Sequence, residues 1–246
     1  MTSEIKCLDH GFVKLRNLAG PTRRVYKGEP SGPILRPFDA DDTDVANSAR
    51  MSFDGMDQDR TYETEMKLNR YLLKNHHDTP FESIQVWLEY KLPIFVARQF
   101  HRHRTQSINE VSGRYVTLPA EWYIPDNVGA AAKDKKQGQT DGLDPETARW
   151  FKWALERECS ISYANYTDAI KQGVAPEHAR MFLHQNHFTH YMSSTNLRNL
   201  MHFLALRDHG HAQIEAQVYA KAVTELLEPH LPGLMALYQE LVKGQA

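Results

Sequence analysis

Cysteine is nearly absent: Cys7 and Cys159 are the only two in 246 residues. They lie far apart and neither belongs to a C-x-x-C pair, so neither a disulfide framework nor a thiolate zinc site is readable. Neither has the local base or cationic neighbourhood that activates a thiol nucleophile, and Cys159 falls in a helical pattern where it reads as packing. Long apolar runs are missing too. None approaches the ~20 residues that span a bilayer, and Met1-Thr2-Ser3-Glu4-Ile5-Lys6 carries no signal-peptide core, so a cytoplasmic location is expected. There is no excess of one charge: the formal net is −2, whereas a general nucleic-acid coat is strongly basic. Internal repeats, low-complexity tracts and a glycine-rich GxGxxG fingerprint are likewise absent.

What remains is an ordinary globular composition, 41% hydrophobic and 24% charged, in a chain long enough to bury one substantial core. We expect a single domain over residues 1–246. Thirteen histidines form a rich supply of hydrogen-bonding groups that titrate near neutrality. One stretch stands out. Arg102-His103-Arg104-Thr105-Gln106-Ser107-Ile108-Asn109-Glu110-Val111-Ser112-Gly113-Arg114-Tyr115 mixes three arginines with hydroxyls, an amide and a carboxylate, and no acid occurs between Lys91 and Glu110. Guanidinium groups bind phosphate oxygens bidentately, so a small anionic ligand such as a nucleotide suits this segment. Gly113 permits close backbone approach.

Periodicity organises the rest. Residues 10–36 hold short extended candidates such as Gly11–Leu15, broken at Gly20-Pro21 and Gly28-Glu29-Pro30. Asp41, Asp42 and Asp44 open a helix through Ala49, and residues 60–75 form another. Ile84, Val86, Leu88 and Tyr90 alternate with polar neighbours, which predicts a strand. Pro93 is placed in the first turn of a helix running to about residue 104, after which the donor-rich segment continues as loop. Residues 126–143 form a polar insertion expected to be mobile. Asp144-Pro145-Glu146 starts a long helix that Gly173 ends, and Pro176-Glu177 starts the next. A strand over 187–195 precedes a helix capped by Asn196. Over 212–228, Ile214, Val218, Ala222 and Leu226 share an inward face with Tyr219, Val223 and Leu227, and Pro229 closes the helix. The sum is an α+β fold with a mixed or antiparallel sheet core and long flanking helices.

Three further groups carry polar chemistry, each with a bland alternative. His76-His77 fits a helix C-terminus, where cations are favoured, at least as well as a metal site. Arg198 and His202 lie four apart on one helix face, with Arg207 at its end, which by periodicity alone suits an exposed polar stripe. Glu177-His178-Ala179-Arg180 is an ordinary charged turn. Two competing classes stay open on residues alone: a non-catalytic nucleotide or RNA binder using the cationic segment, and a histidine-rich metal hydrolase.

The string Arg102-His103-Arg104, seven residues, then Ser112 resembles the signature of the flavin-dependent thymidylate synthases. The resemblance extends over roughly residues 40–230 through Ser52-Phe53, His77–Glu82, Pro93–Gln99, Asn109-Glu110, Ser112–Tyr115, Asn196–Arg198, His202-Phe203 and Arg207 through His211-Ala212. It implies conversion of dUMP to dTMP, with methylenetetrahydrofolate as carbon donor, FAD as redox carrier and NADPH as reductant. It implies a homotetramer with FAD pockets shared between subunits, no nucleic acid, membrane or metal among its partners, and no cysteine nucleophile. By resemblance Ser52, His77, Thr79, Arg102, His103, Arg104, Asn109, Glu110, Asn196, Arg198, His202 and His211 contact FAD. Gln99, Arg102, Glu110, Ser112, Gly113, Arg114 and Arg180 hold dUMP, and Arg207 is the catalytic group lying against the uracil. His202 departs from some relatives, which carry Asn there.

Overall fold

The computed structural model describes residues 3–22, 40–131, 139–140 and 143–243. Its strands are β1 (Glu4–Cys7), β2 (Gly11–Ala19), β3 (Gln85–Pro93), β4 (Ser107–Glu110), β5 (Ala130–Ala131), β6 (Gln139–Thr140) and β7 (Phe188–Asn196). Its helices are α1 (Asp44–Ala49), α2 (Tyr62–Lys74), α3 (Ile94–Phe100), α4 (Pro145–Lys171), α5 (Pro176–Ala179), α6 (Leu197–Arg207), α7 (Ile214–Leu227) and α8 (Pro232–Leu241). Five strands form one sheet in the order β1-β2-β3-β7-β4, with every neighbouring pair antiparallel. The α+β expectation holds, and among the described residues the sheet is antiparallel throughout rather than mixed.

Alternation sets which face is buried. On β3, Val86, Leu88, Tyr90 and Leu92 point into the core while the intervening residues stay part-exposed. On β2, Val13 and Leu15 are buried, and then Leu18, three residues on. A register shift between Leu15 and Asn17 accounts for the odd spacing, since a bulge moves the following residues to the other face. Helices α6, α7 and α8 cover this face, with Leu200, Leu204, Tyr219, Val223, Leu234 and Tyr238 in one continuous core with the strands. The far end of the sheet is bare: all four residues of β4 are exposed, and so is Met192 opposite Asn109.

A buried carboxylate ties the helices together. Asp42 accepts from Tyr62 Oη at 2.7 Å, from Gly233 N at 2.8 Å and from Leu234 N at 2.8 Å, while Asn69 Nδ2 donates to its backbone carbonyl at 2.6 Å. One side chain thus caps the first turn of α8, which Pro232 opens, and anchors α2.

Several expectations need correction. The helix after β3 begins at Ile94, with Pro93 as its cap, and stops at Phe100 rather than near 104. The donor-rich segment is not loop throughout, because Ser107–Glu110 pairs with β7 as an edge strand. Ile214 is 52% exposed, so the inward row of α7 starts one turn later. Gly28-Glu29-Pro30 and residues 132–138 and 141–142 lie outside the described residues; in the remainder of the insertion β5 pairs with β6. The start of α4 is as expected: Asp144 accepts from Thr147 N at 2.8 Å with Pro145 at N1, and Gly173 ends the helix at φ +85°.

Asp42→Ala strands three donors, two of them at a helix start. We expect a loss of about 2–4 kcal/mol in urea unfolding; a change under about 0.5 kcal/mol would show that this tie contributes little.

Candidate active site

Three chain ends meet at the signature segment. Helix α3 stops at Phe100, whose carbonyl accepts from Gln106 Nε2 at 2.8 Å across the turn that carries His103. The chain then enters β4. Helix α6 ends at Arg207 and reaches across to both: Arg207 Nε donates to His103 Nε2 at 3.1 Å, and Arg207 Nη2 donates to the Gln99 carbonyl at 3.2 Å. That carbonyl is open because the last turn of α3 leaves it without a helical partner. His103 packs edge-on against Phe203 at 4.9 Å between ring centroids, with His202 at 6.4 Å.

The electrostatics agree with the geometry. Burial pushes the His103 imidazole down to about 4, and the neighbouring Arg207 and His202 push the same way. The ring is therefore neutral at pH 7, with Nε2 as acceptor and the proton on Nδ1. Burial also draws Arg207 below the usual arginine range, yet a guanidinium stays cationic. A cleft of about 610 Å³ opens beside it, walled by Gln99, Arg207, His211, Gln213 and Gln217. Gln99 Nε2 donates to Gln213 Oε1 at 2.5 Å, and His211 N donates to His209 Nδ1 at 3.3 Å.

A second group lies at the other side of α6. Asn196 caps the helix, accepting from Asn199 N at 2.9 Å. Arg198 Nε pairs with Asp78 Oδ1 at 2.7 Å. With His76, Lys74 and His202 they rim a cavity of about 260 Å³ floored by Leu73 and Met201. His77 packs edge-on against Tyr71 at 5.9 Å, and Thr79 begins a 3-10 turn over Thr79–Ser83. Arg198 and His202 therefore line a pocket rather than a plain solvated stripe.

The third group joins the segment after β4 to the turn at α5. Thr189 Oγ1 donates to Glu110 Oε1. Ser112 Oγ accepts from Arg114 N at 3.3 Å, and Arg114 Nε pairs with Glu177 at 3.3 Å. Gly113 is buried where a Cβ would come within 3.3 Å of Leu118 and 3.4 Å of Arg180. The Glu177–Arg180 turn, unremarkable in sequence, thus backs the signature segment.

Arg102, Arg104 and Asn109 are exposed on the turn and on β4, and Ser52 is exposed in the 3-10 turn Arg50–Phe53, apart from the three groups. Asp78 and Thr189 were not singled out in the sequence. Asp78 lies within the His77–Glu82 stretch, whereas nothing near Thr189 marks it as facing Glu110. Burial pushes the Cys7 thiol up to about 12 and raises Cys159 as well, so both are poor nucleophiles. Among the described residues no group of three His, Cys, Asp or Glu could hold a metal ion, and no helix is long and apolar enough to cross a membrane.

These features define a class: an α+β protein whose half-buried arginine is held beside a cleft by a neutral histidine, next to a cation-rich turn that leads into an edge strand. A family model described as thymidylate synthase complementing protein matches residues 34–233. A flavin-dependent thymidylate synthase of Gluconobacter oxydans is 37% identical over 96% of this chain and 73% of its own length. One from Thermus thermophilus is 35% identical over 98% of this chain and 80% of its own. The crystal structure of the UMP/dUMP methylase PolB from Streptomyces cacaoi with 5-Br dUMP superposes with TM-score 0.80, covering 97% of this chain and 99% of that one, at 24% identity, which speaks to the fold. The chain belongs to the flavin-dependent thymidylate synthases, a family of methyltransferase enzymes.

His103 and His187 are both buried imidazoles held down at about 4 by desolvation. Between pH 4 and 6.5 the unfolded chain binds protons that the folded chain refuses, so stability is present above 6.5 and is lost as pH falls towards 4. We expect His187→Gln to remove about one proton from the slope of unfolding free energy against pH in that window; an unchanged slope would contradict the assignment.

Proposed function

We propose that this chain catalyses reductive methylation of dUMP to dTMP in the cytoplasm, with carbon from methylenetetrahydrofolate and reducing equivalents from NADPH through FAD. The observation that carries this is Arg207: a permanent cation, half-buried and fixed by His103 and the Gln99 carbonyl at the wall of a cleft. Methylating C5 of uracil requires electron density at that carbon. One route adds a thiolate to the ring, but both cysteines here have raised pKa values and neither lies in the cleft. The other places a cation at the carbonyl and N3 edge, where it stabilises negative charge on the ring. Arg207 has the position and the charge for that role.

Around it, Gln99, Arg102, Glu110, Ser112, Gly113, Arg114 and Arg180 hold the nucleotide. Ser112 acts as a positioning hydroxyl, since its oxygen accepts from Arg114 N and, among the described residues, it has no hydrogen bond to a base. A side chain at Gly113 would crowd Leu118 and Arg180, so glycine there lets Arg180 pack against the segment.

The donors present suit the flavin. Arg198, His202, His76 and Lys74 rim an apolar-floored cavity, a combination fitted to phosphate beside an aromatic ring. Ser52, His77, Thr79, Arg102, His103, Arg104, Asn109, Glu110, Asn196 and His211 complete the proposed cofactor set. When bound, reduced flavin supplies the hydride chemistry that side chains lack. At about 260 Å³ the cavity is smaller than pockets for drug-sized ligands, which run to roughly 300–1,000 Å³, so one chain holds only part of an FAD. Pockets shared between the subunits of a homotetramer account for the rest.

The test is dTMP formation from dUMP, methylenetetrahydrofolate, FAD and NADPH. We expect Arg207→Ala to lower the rate by about 10²–10³-fold while flavin stays bound, as is usual for loss of one preorganised donor; a wild-type rate would remove Arg207 from the mechanism. The variant Cys7→Ala/Cys159→Ala is expected to keep its activity, and complete loss with the fold intact would point to a thiol mechanism instead.

A further inference from the structure

Glu110 is an acid in a segment of cations, yet among the described residues no lysine or arginine pairs with it, and Arg114, four positions on, turns to Glu177 instead. A hydroxyl holds it. Thr189 Oγ1 donates to Glu110 Oε1, while Oε2 has no hydrogen-bond partner among the described residues. The donor is buried and the carboxylate exposed. An exposed glutamate ordinarily keeps its rotamer freedom in water, but here one of its oxygens is tied to the core.

The strand register explains which residue makes this bond. On β7, Thr189, Tyr191 and Ser193 alternate onto the buried face, while His190 and Met192 face out. Tyr191 lies directly opposite Glu110 in the β4–β7 ladder, yet its Oη is buried without a hydrogen-bond partner among the described residues. Thr189 is the diagonal neighbour, two residues along the same face, and a diagonal neighbour is within reach of a side chain as long as glutamate. Both backbones are held as well. Thr189 pairs with Leu92 of β3 on its other side, and Val111 N donates to the His190 carbonyl at 2.8 Å just beyond Glu110. The hydroxyl is therefore offered from the interior of the sheet rather than from a loop.

We propose that Thr189 is a positioning residue for the nucleotide site: its hydroxyl fixes one oxygen of Glu110 so that the other faces the incoming nucleotide already oriented. This rests on the thymidylate synthase reading above and on Glu110 as one of the groups that hold dUMP. A carboxylate accepts hydrogen bonds and repels phosphate, so Glu110 suits the sugar or base of a nucleotide, while the arginines around it suit the phosphate. Without the tie, binding would have to immobilise a flexible side chain, which weakens affinity by a few-fold to about tenfold. Sites carried on strands and locked by a second layer of hydrogen bonds avoid that cost.

The experiment uses the flavin-loaded protein. Thr189→Val keeps the branched shape and removes the donor; it leaves no buried group unsatisfied, because Glu110 is exposed and can turn to water. The thermal midpoint should change by about 2 °C or less. KM for dUMP should rise about fivefold with kcat within about twofold, as expected for lost ground-state binding. Calorimetric titration with dUMP should show the same weakening without turnover. Thr189→Ser should restore binding. Tyr191→Phe, which deletes the unpartnered hydroxyl opposite Glu110, should leave KM unchanged. Glu110→Gln should itself weaken dUMP binding, and adding Thr189→Val to it should cost nothing more, since the two act as one unit. If wild type makes dTMP and Thr189→Val binds dUMP as wild type does, Thr189 has no positioning role and the function stands. A lower thermal midpoint with unchanged KM, or full additivity with Glu110→Gln, overturns the proposal in the same way. No dTMP from wild type with all components present removes the function itself.

Discussion

A hydrogen bond between a permanent cation and an uncharged histidine organises the site. Arg207 can donate to His103 only while Nε2 keeps its lone pair, so the ring must stay neutral. In water an imidazole titrates close to physiological pH. Packing against Phe203 and the nearby positive charge of Arg207 remove that ambiguity. The same contact joins the end of α6 to the turn that follows α3, and the second bond to the Gln99 carbonyl fixes the guanidinium in two directions. Loss of either partner frees a long side chain whose rotamer entropy favours solvent.

The sheet explains why the site sits where it does and why it stays open. Strand β7 continues directly into α6 at Asn196, so the strand register determines where Arg198, His202 and Arg207 fall along the helix. Strand β4 pairs with β7 on one side only and exposes all four of its residues. Polar groups from the proposed cofactor and nucleotide sets line separate walls, at the Arg207 cleft, at the Arg198 cavity and behind Gly113.

Period-two alternation from Ile84 to Tyr90, the Asp144-Pro145 start and the Gly173 stop are local signals, and each is realised in the fold. The extent of α3 was not legible, because its end is set by the turn that lets Gln106 bond back to Phe100, a contact no propensity encodes. β4 was missed for a related reason: Ser107–Glu110 has too little apolar alternation to read as a strand and is one because β7 offers it a hydrogen-bonding edge. In the site, periodicity alone left Arg198 and His202 as a polar stripe, since the partner Asp78 comes from a distant turn. Ile214 misled in the opposite direction, being apolar at an inward spacing yet exposed where it walls the cleft.

Four arginines crowd the region, and their surroundings separate their work. Arg102, Arg104 and Arg114 are exposed, where water and salt screen a charge within about 10 Å. Such groups attract and orient an anion, but they gain little when charge shifts by an ångström or two inside a substrate. Arg207 is half-buried, and its charge is screened less than that of the exposed three. It is also already oriented, so no reorganisation accompanies the appearance of charge on a ring beside it. Chemistry that polarises a pyrimidine without a covalent adduct needs a cation that is close, partly shielded from water and fixed. In the proposed mechanism the same sequence segment supplies the three that gather the ligand, while the end of α6 supplies the one that acts on it.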